Sequence, residues 1–152
     1  MDIALAAPAD LDLIAPLRRA LWPDSHIDEL KQRAQDMVGA APGLALFIAR
    51  DVGGAAVGFA EVALRRDYVN GCETTPVAFL EGIHVAPPHR RCGIGRALVH
   101  AGREWARTQG LSEFASDALL DNTASHAFHR AAGFAETERV VYFRMDMGPE
   151  AA

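Results

Sequence analysis

The sequence predicts an α/β (α+β) chain, one domain across residues 1–152 in which helices and strands alternate. Three observations carry that expectation. Apolar residues recur at helical spacing in some stretches and in short strand-like runs in others. Clusters of glycine, proline, asparagine and aspartate separate those stretches. The chain has 152 residues, half of them hydrophobic and 23% charged, which is the size of one ordinary domain with its own core.

Taken in order, Ile3 to Ala6 reads as a short strand ended by Pro8. Asp10 is placed to cap a helix to about Trp22, with Leu13, Ile14, Leu17 and Leu21 as its apolar face and Pro16 expected to kink it or delay its start. Ser25-His26-Ile27-Asp28 resembles a capping box for a second helix through Ile27, Leu30, Ala34 and Met37, terminated by Gly39. Leu44 to Arg50, Ala55 to Leu64 and Val77 to Val85 form a three-strand meander, joined by a turn at Asp51-Val52-Gly53-Gly54 and a polar loop from Arg66 to Thr75. A helix from Ile94 to Thr108 follows, with Ile94, Ala97, Leu98, Ala101 and Trp105 on one face. Glu113 to Ser116 is a short strand, Asn122 to Ala132 a short helix, and Thr137 to Met147 a long strand or two joined by a bend.

Composition excludes several function classes. The formal net charge of −5 argues against a nucleic-acid partner. No apolar run approaches a membrane span, and Met1-Asp2-Ile3 does not open a signal peptide. The two cysteines, Cys72 and Cys92, supply neither a disulfide framework nor a metal-ligand set, as in a reduced cytoplasm. His126 and His129 could share a helix face, but no third ligand accompanies them, so no metal is expected.

The most informative segment is the strand, turn and helix around residue 90. A strand enters a turn holding Arg90, Arg91, Cys92, Gly93, Ile94, Gly95 and Arg96, and an amphipathic helix leaves it. Such a turn offers backbone N–H groups at a helix N-terminus to an anion. The spacing is not that of a P-loop, nor of the dinucleotide fingerprint, whose third glycine would fall at Leu98. Glu81, in the apolar run before the turn, is an unusual place for a carboxylate. Period-two alternation puts Leu80 and Gly82 on one face and Glu81 and Ile83 on the other.

Arg90-x-x-Gly93-x-Gly95 resembles the signature of the GNAT N-acetyltransferase superfamily. Asn122, Ala124, Phe128 and the Gly133-Phe134 pair resemble a later segment of the same family, and the element order matches it. The resemblance implies a mixed, mostly antiparallel central sheet flanked by helices, with the 90–96 turn holding the pyrophosphate of acetyl-coenzyme A. It also implies that Asn122 touches the coenzyme and that the backbone of Ile83, His84 and Val85 pairs with the pantetheine arm. Three stretches, Tyr68–Thr74, Phe79–Ile83 and Ala115–Asp117 followed by Glu136–Val140, are similar to the aminoglycoside 6′-N-acetyltransferases. That similarity implies antibiotic contacts at Trp22, His26, Tyr68, Glu81, Asp117 and Glu138.

The expected chemistry is acetyl transfer to an amine. An alkylammonium with a pKa of about 9 to 10, by analogy with lysine, must lose a proton first. Glu81 and Asp117 are the candidate groups to bind the cation or take that proton. Asn122 also reads as a helix cap. His129, where many relatives carry tyrosine, is either an acid for the departing thiolate or a packed helix histidine. No cysteine or serine shows a nucleophile constellation, which favours direct attack in a ternary complex. The alternatives are a GNAT enzyme for another small amine or a protein amine, and a non-catalytic acetyl-coenzyme A sensor. The resembling family implies a homodimer through the C-terminal strands.

Overall fold

The computed structural model describes residues 1–38 and 41–150, so the terminator expected at Gly39 lies outside the described residues. Its centre is a five-stranded sheet in the order β1 (Asp2–Leu5), β2 (Leu44–Arg50), β3 (Ala56–Arg65), β4 (Val77–Val85) and β5 (Phe114–Ser116). The first four strands are antiparallel neighbours, and β5 joins β4 in parallel. Both sheet faces are covered, which suits strands as apolar as β2 and β3.

α1 (Leu11–Leu21) and α2 (Ile27–Val38) cover one face. They bury Ile14, Leu17, Ala34 and Met37 against Leu46, Ile48 and Phe59. α3 (Ile94–Thr108) covers the other, burying Ile94, Leu98, Val99 and Ala106 against Ala60, Val62, Ala78 and Leu80. α4 (Thr123–Ala131) sits on the α3 side, where Phe128 and Ala132 pack on the same cluster.

The apolar face of α1 differs from the expectation: Leu13 is 48% exposed, and Arg18 is buried beside Ile14 and Leu17. The helix also runs through Pro16 without delay, with Pro16 on its exposed face. Asp10 does not cap α1. Its carboxylate accepts the Ala7 N–H at 2.8 Å and the Arg50 guanidinium, which hold it below the usual carboxylate range. α2 begins at Ile27 with its first bond from Leu30 N–H to the His26 carbonyl, so the cap position falls on His26 rather than Ser25.

The C-terminal strand expected from Thr137 to Met147 does not form within the chain. Val141, Tyr142, Phe143, Met145 and Met147 are each at least 72% exposed. A strand needs a neighbour to take its backbone hydrogen bonds, and none of the five described strands pairs with this segment.

Candidate active site

The site is set by a bulge in β4. Glu61 of β3 pairs with Gly82 and Val62 pairs with Leu80, so Glu81 is the extra residue. A bulge re-aims the side chains around it. Leu80 and Ile83 both pack on the α3 side, whereas Gly82 meets Trp22 on the α1 side, and Glu81 opens there too. The alternation expected around Glu81 therefore breaks at that residue. A Cβ on Gly82 would lie 2.5 Å from the Trp22 ring, so the glycine lets the indole lie against the strand.

Glu81 is held by Arg65, at the end of β3. Arg65 Nε donates to Oε1 at 2.8 Å and Nη2 to Oε2 at 2.7 Å. The hydrogen bond to Glu81 raises the Arg65 pKa above its ordinary value, with further help from the charges of Asp117 and Tyr142. Asp117, just past β5, is exposed and without a hydrogen-bond or ion-pair partner among the described residues.

Trp22, at the end of α1, walls a cavity of about 330 Å³ shared with Glu81, Arg18, Arg33 and Glu29. Its ring packs 5.8 Å from Phe59 and carries the Arg18 guanidinium at 5.4 Å. Beneath it lies a buried network that the sequence reading missed. Arg18 and Glu61 are 2% and 0% exposed, joined at 2.5 Å from Nε to Oε1. Arg33 reaches the other Glu61 oxygen at 3.3 Å, and Arg18 also donates to the Leu30 carbonyl. The signal existed, since Glu61 interrupts the apolar run Phe59-Ala60-Glu61-Val62 as Glu81 interrupts its own.

The β4–β5 ladder ends at Leu80 opposite Ser116. From Glu81 to Val85 that edge of β4 has no ladder partner, leaving a slot bordered by Ile83 and His84. The Val85 carbonyl is taken by Arg90 Nε at 2.8 Å. Burial, then the charge of Arg90, lowers the His84 pKa.

The slot leads to the N-terminus of α3. Arg91 and Gly93 are left-handed, with φ of 63° and 83°, and no side chain caps the helix. A Cβ on Gly93 would meet nothing within 4 Å, so glycine answers the backbone conformation there. On Gly95 it would lie 2.8 Å from Phe128, so that glycine answers the packing of α4. Free N–H groups on a 15-residue helix, with Arg90, Arg91 and Arg96 exposed around them, fit a pyrophosphate. Cys92 is exposed in the turn, its thiol 3.5 Å from the Arg90 carbonyl.

Asn122 caps α4, its Oδ1 accepting the Ser125 N–H at 3.1 Å. His129 clasps α4 to β5. Its Nδ1 donates to the Ser125 carbonyl at 2.7 Å, and its Nε2 lies 2.8 Å from the Ser116 hydroxyl, which also reaches the Leu80 carbonyl at 3.4 Å. The ring packs 5.3 Å from Phe134. Both ring nitrogens of His129 thus have partners within the chain. His126 bonds the Leu119 carbonyl at 2.8 Å, and no group of three metal-ligating side chains occurs among the described residues.

Tyr68, His26 and Glu138 are exposed, and among the described residues no hydrogen bond or ion pair links them to Glu81. Their segments are nevertheless placed. Val69 is buried beside Tyr68, the Glu113 carboxylate accepts the Glu73 and Thr74 N–H groups at 2.9 and 2.6 Å, and Thr137 lies against Gly71. Besides Glu61 and Arg18, sequence reasoning missed Arg65, Tyr142 and the Ser116–His129 bond.

Comparison with known proteins agrees with this geometry. Residues 11–134 match the acetyltransferase (GNAT) family. The chain is 50% identical over 151 residues to the aminoglycoside N(6′)-acetyltransferase type 1 of Stenotrophomonas maltophilia, covering 98% of this chain and 95% of that protein. It is 49% identical to the protein of the same name from Serratia marcescens, covering 91% and 94%. Among solved structures, the aminoglycoside 6′-N-acetyltransferase AAC(6′)-Ih from Acinetobacter baumannii superposes with a TM-score of 0.90 at 42% identity, over 97% and 99% of the two chains. AAC(6′)-Iy in complex with the bisubstrate analogue CoA-S-monomethyl-acetylneamine superposes at 0.91 with 41% identity, over 95% and 97%.

Proposed function

The chain belongs to the GNAT acetyltransferase family, and from that premise we propose that it moves the acetyl group of acetyl-coenzyme A to the 6′-amine of aminoglycoside antibiotics, thereby conferring resistance. The single observation that carries this is the continuity of three features: the unpaired β4 edge, the uncapped α3 N-terminus, and the Glu81 and Asp117 carboxylates at the other end of the slot. Relatives at 45–50% identity bearing the aminoglycoside N(6′)-acetyltransferase name support the choice of acceptor.

The pyrophosphate of acetyl-coenzyme A lies on the 90–96 turn, with Asn122 nearby. The pantetheine runs along Ile83 to Val85, whose N–H groups polarise the thioester carbonyl. Trp22 and Tyr68 offer flat walls for sugar rings, and Glu81, Asp117, His26 and Glu138 receive ammonium and hydroxyl groups. Asp117, exposed and unpaired, takes the proton as the 6′-amine becomes a nucleophile. Nitrogen attacks the carbonyl carbon, the C–S bond breaks, the new amide nitrogen gives up its second proton to solvent, and coenzyme A leaves as a thiolate that solvent protonates. Ser116 faces α4, across the sheet from the Trp22 cavity, and is not a nucleophile here.

The unit proposed is one acetyltransferase domain over residues 1–152, working as a cytoplasmic homodimer. The exposed apolar residues from Val141 to Met147 support pairing with a second copy. Among the described residues no helix is long and apolar enough to cross a membrane.

Coenzyme A release measured with a panel of aminoglycosides and control amines tests the function, with mass spectrometry locating the acetyl group. Kanamycin and tobramycin, which carry a 6′-amine, are expected to be acetylated, and a 6′-hydroxyl analogue is not. Equal acetylation of both types overturns the 6′ assignment. Turnover confined to other amines points to a different GNAT acceptor, and coenzyme binding without turnover to a sensor. The active preparation is expected to sediment as a dimer.

A further inference from the structure

Arg65 presents a puzzle for a site meant to receive a polycation. Its fork occupies both oxygens of Glu81, and its Cζ lies 3.5 Å from the centroid of the Phe79 ring. Phe79 is 4% exposed and belongs to the cluster with Val69 and Val77, so the platform under the guanidinium is fixed. A planar fork on a carboxylate and a stack on an aromatic face are both arginine geometries. The carboxylate at the bulge is thus neutralised before any substrate arrives. If Glu81 served only to attract ammonium groups, that pairing would work against it.

Resting on the 6′-amine transfer proposed above, we propose that Arg65 is a charge-balancing residue, which cancels the charge of Glu81 so that the acceptor amine is held there as the neutral nucleophile. Glu81 then anchors the amine by accepting a hydrogen bond through its remaining lone pairs, without favouring the ammonium ion. A neighbouring cation favours the uncharged form of an amine, as it does for activated lysines.

The charges facing the site bear this out. Arg65 and Glu61 come from β3, Glu81 from β4, and Asp117 from the end of β5. α1 supplies Arg18, and α2 supplies Glu29 and Arg33. Arg65 pairs with Glu81, Arg18 and Arg33 both pair with Glu61 beneath, and Glu29 is exposed on α2 without an ion-pair partner among the described residues. Asp117, just past β5, also has no ion-pair partner among the described residues, and it is the carboxylate that takes the proton the ammonium gives up. Without Arg65, two uncompensated carboxylates would face the same amine and raise its proton affinity.

The test compares the parent with Arg65→Gln and Arg65→Lys, with tobramycin as acceptor. The pH dependence of kcat reports groups in the bound complex. In Arg65→Gln its acid limb is expected to move up by about one pH unit, roughly a tenfold loss of kcat at pH 7 that closes by about pH 9. The KM for tobramycin at pH 7 is expected not to rise, because the uncompensated site binds the cation at least as well. Arg65→Lys, which keeps the charge without the fork, is expected to keep most of the parental limb. A loss of kcat equal at every pH, or a Lys variant displaced as far as the Gln variant, overturns the proposal and leaves Arg65 a structural clamp. Arg65→Met, whose stem still covers Phe79, replaces the Gln variant if that fails to fold.

A second measurement needs binding alone. In the complex with coenzyme A and tobramycin labelled with ¹⁵N at the 6′-amine, the bound amine is expected to titrate below the free amine in the parent and not in Arg65→Gln. Identical titration in both proteins overturns the proposal. Absence of turnover by the parent on any 6′-amine is a separate result, which overturns the functional reading instead.

Discussion

Glu61 and Glu81 are near neighbours across two strands, Glu61 lying opposite Gly82, yet they do different work. Each interrupts an apolar run and each is paired with arginine. Glu61 is wholly buried, and its main partner Arg18 is 2% exposed. Glu81 sits in a bulge with its side chain 18% exposed, its partner Arg65 is 40% exposed, and it opens on the Trp22 cavity. A carboxylate among apolar residues is thus a sign of importance but not of function. Whether its remaining lone pairs reach solvent decides between structure and chemistry.

The largest effect that can break this comparison is on stability. Glu61→Gln keeps the shape but leaves the Arg18 charge buried without its counterion. Breaking a buried pair this way costs about 3–5 kcal/mol. In a domain of this size that lowers the melting temperature by roughly 10 °C or more. Glu81→Gln, beside an arginine that water can reach, is expected to melt close to the parent. Thermal denaturation followed by circular dichroism checks both. A Glu61→Gln variant that melts with the parent would remove the distinction between the two carboxylates.

What the sequence made legible follows the same division between local and distant. β2, β4 and α3 span the expected residues because each is fixed by its own apolar period and by nearby glycines and prolines. The anion turn was legible for the same reason, since Arg90 to Gly95 are contiguous. The partners of the carboxylates were not. Arg18 reaches Glu61 across 43 positions and Arg65 reaches Glu81 across 16, and no periodicity encodes such pairings. The bulge had a faint signal, a lone Gly82 inside a strand, which marks either a bulge or the close approach of another group. Both are true of it here, and together they put Glu81 and Trp22 in one cavity. The C-terminal stretch failed differently: its apolar residues are present, but none of the described strands pairs with them.

A smaller effect, on activity, sharpens the contrast within the site. Asp117 has no partner among the described residues, whereas both oxygens of Glu81 are engaged. Asp117→Asn removes the free proton acceptor, so kcat should fall on the order of 10²-fold. Glu81→Gln removes an anchor, so the KM for the aminoglycoside should rise with a lesser loss of kcat. Steady-state kinetics on folded variants separates the two, and acetyl-coenzyme A affinity should survive both. The opposite split would make Glu81 the base. Parental kinetics in both variants, across pH 6 to 9, would remove the carboxylates from the site altogether.

The smallest expected effect comes from a third glutamate with arginine partners. Glu136 accepts from Arg139 at 2.5 Å and from Arg130 at 2.9 Å, and all three side chains are at least 41% exposed. Hydrogen bonds from Arg139, then from Arg130, hold its carboxyl down to about 2. Because the folded pKa lies below the unfolded value of about 4.3, its contribution to stability is fully present above that value and is lost as pH falls through about 2. Water and salt screen so exposed a pair, so the contribution is small even at neutral pH. Glu136→Gln is therefore expected to melt only slightly below the parent at pH 7 in low salt. The two curves should merge as the pH is lowered from about 4.5 to 2, and merge at neutral pH when salt is raised. Three glutamates with similar ion-pair geometry would then rank by burial alone: Glu61 for the fold, Glu81 for the site, Glu136 for neither. A Glu136→Gln variant as unstable as Glu61→Gln would show that pairing geometry, and not exclusion from water, sets what these carboxylates do.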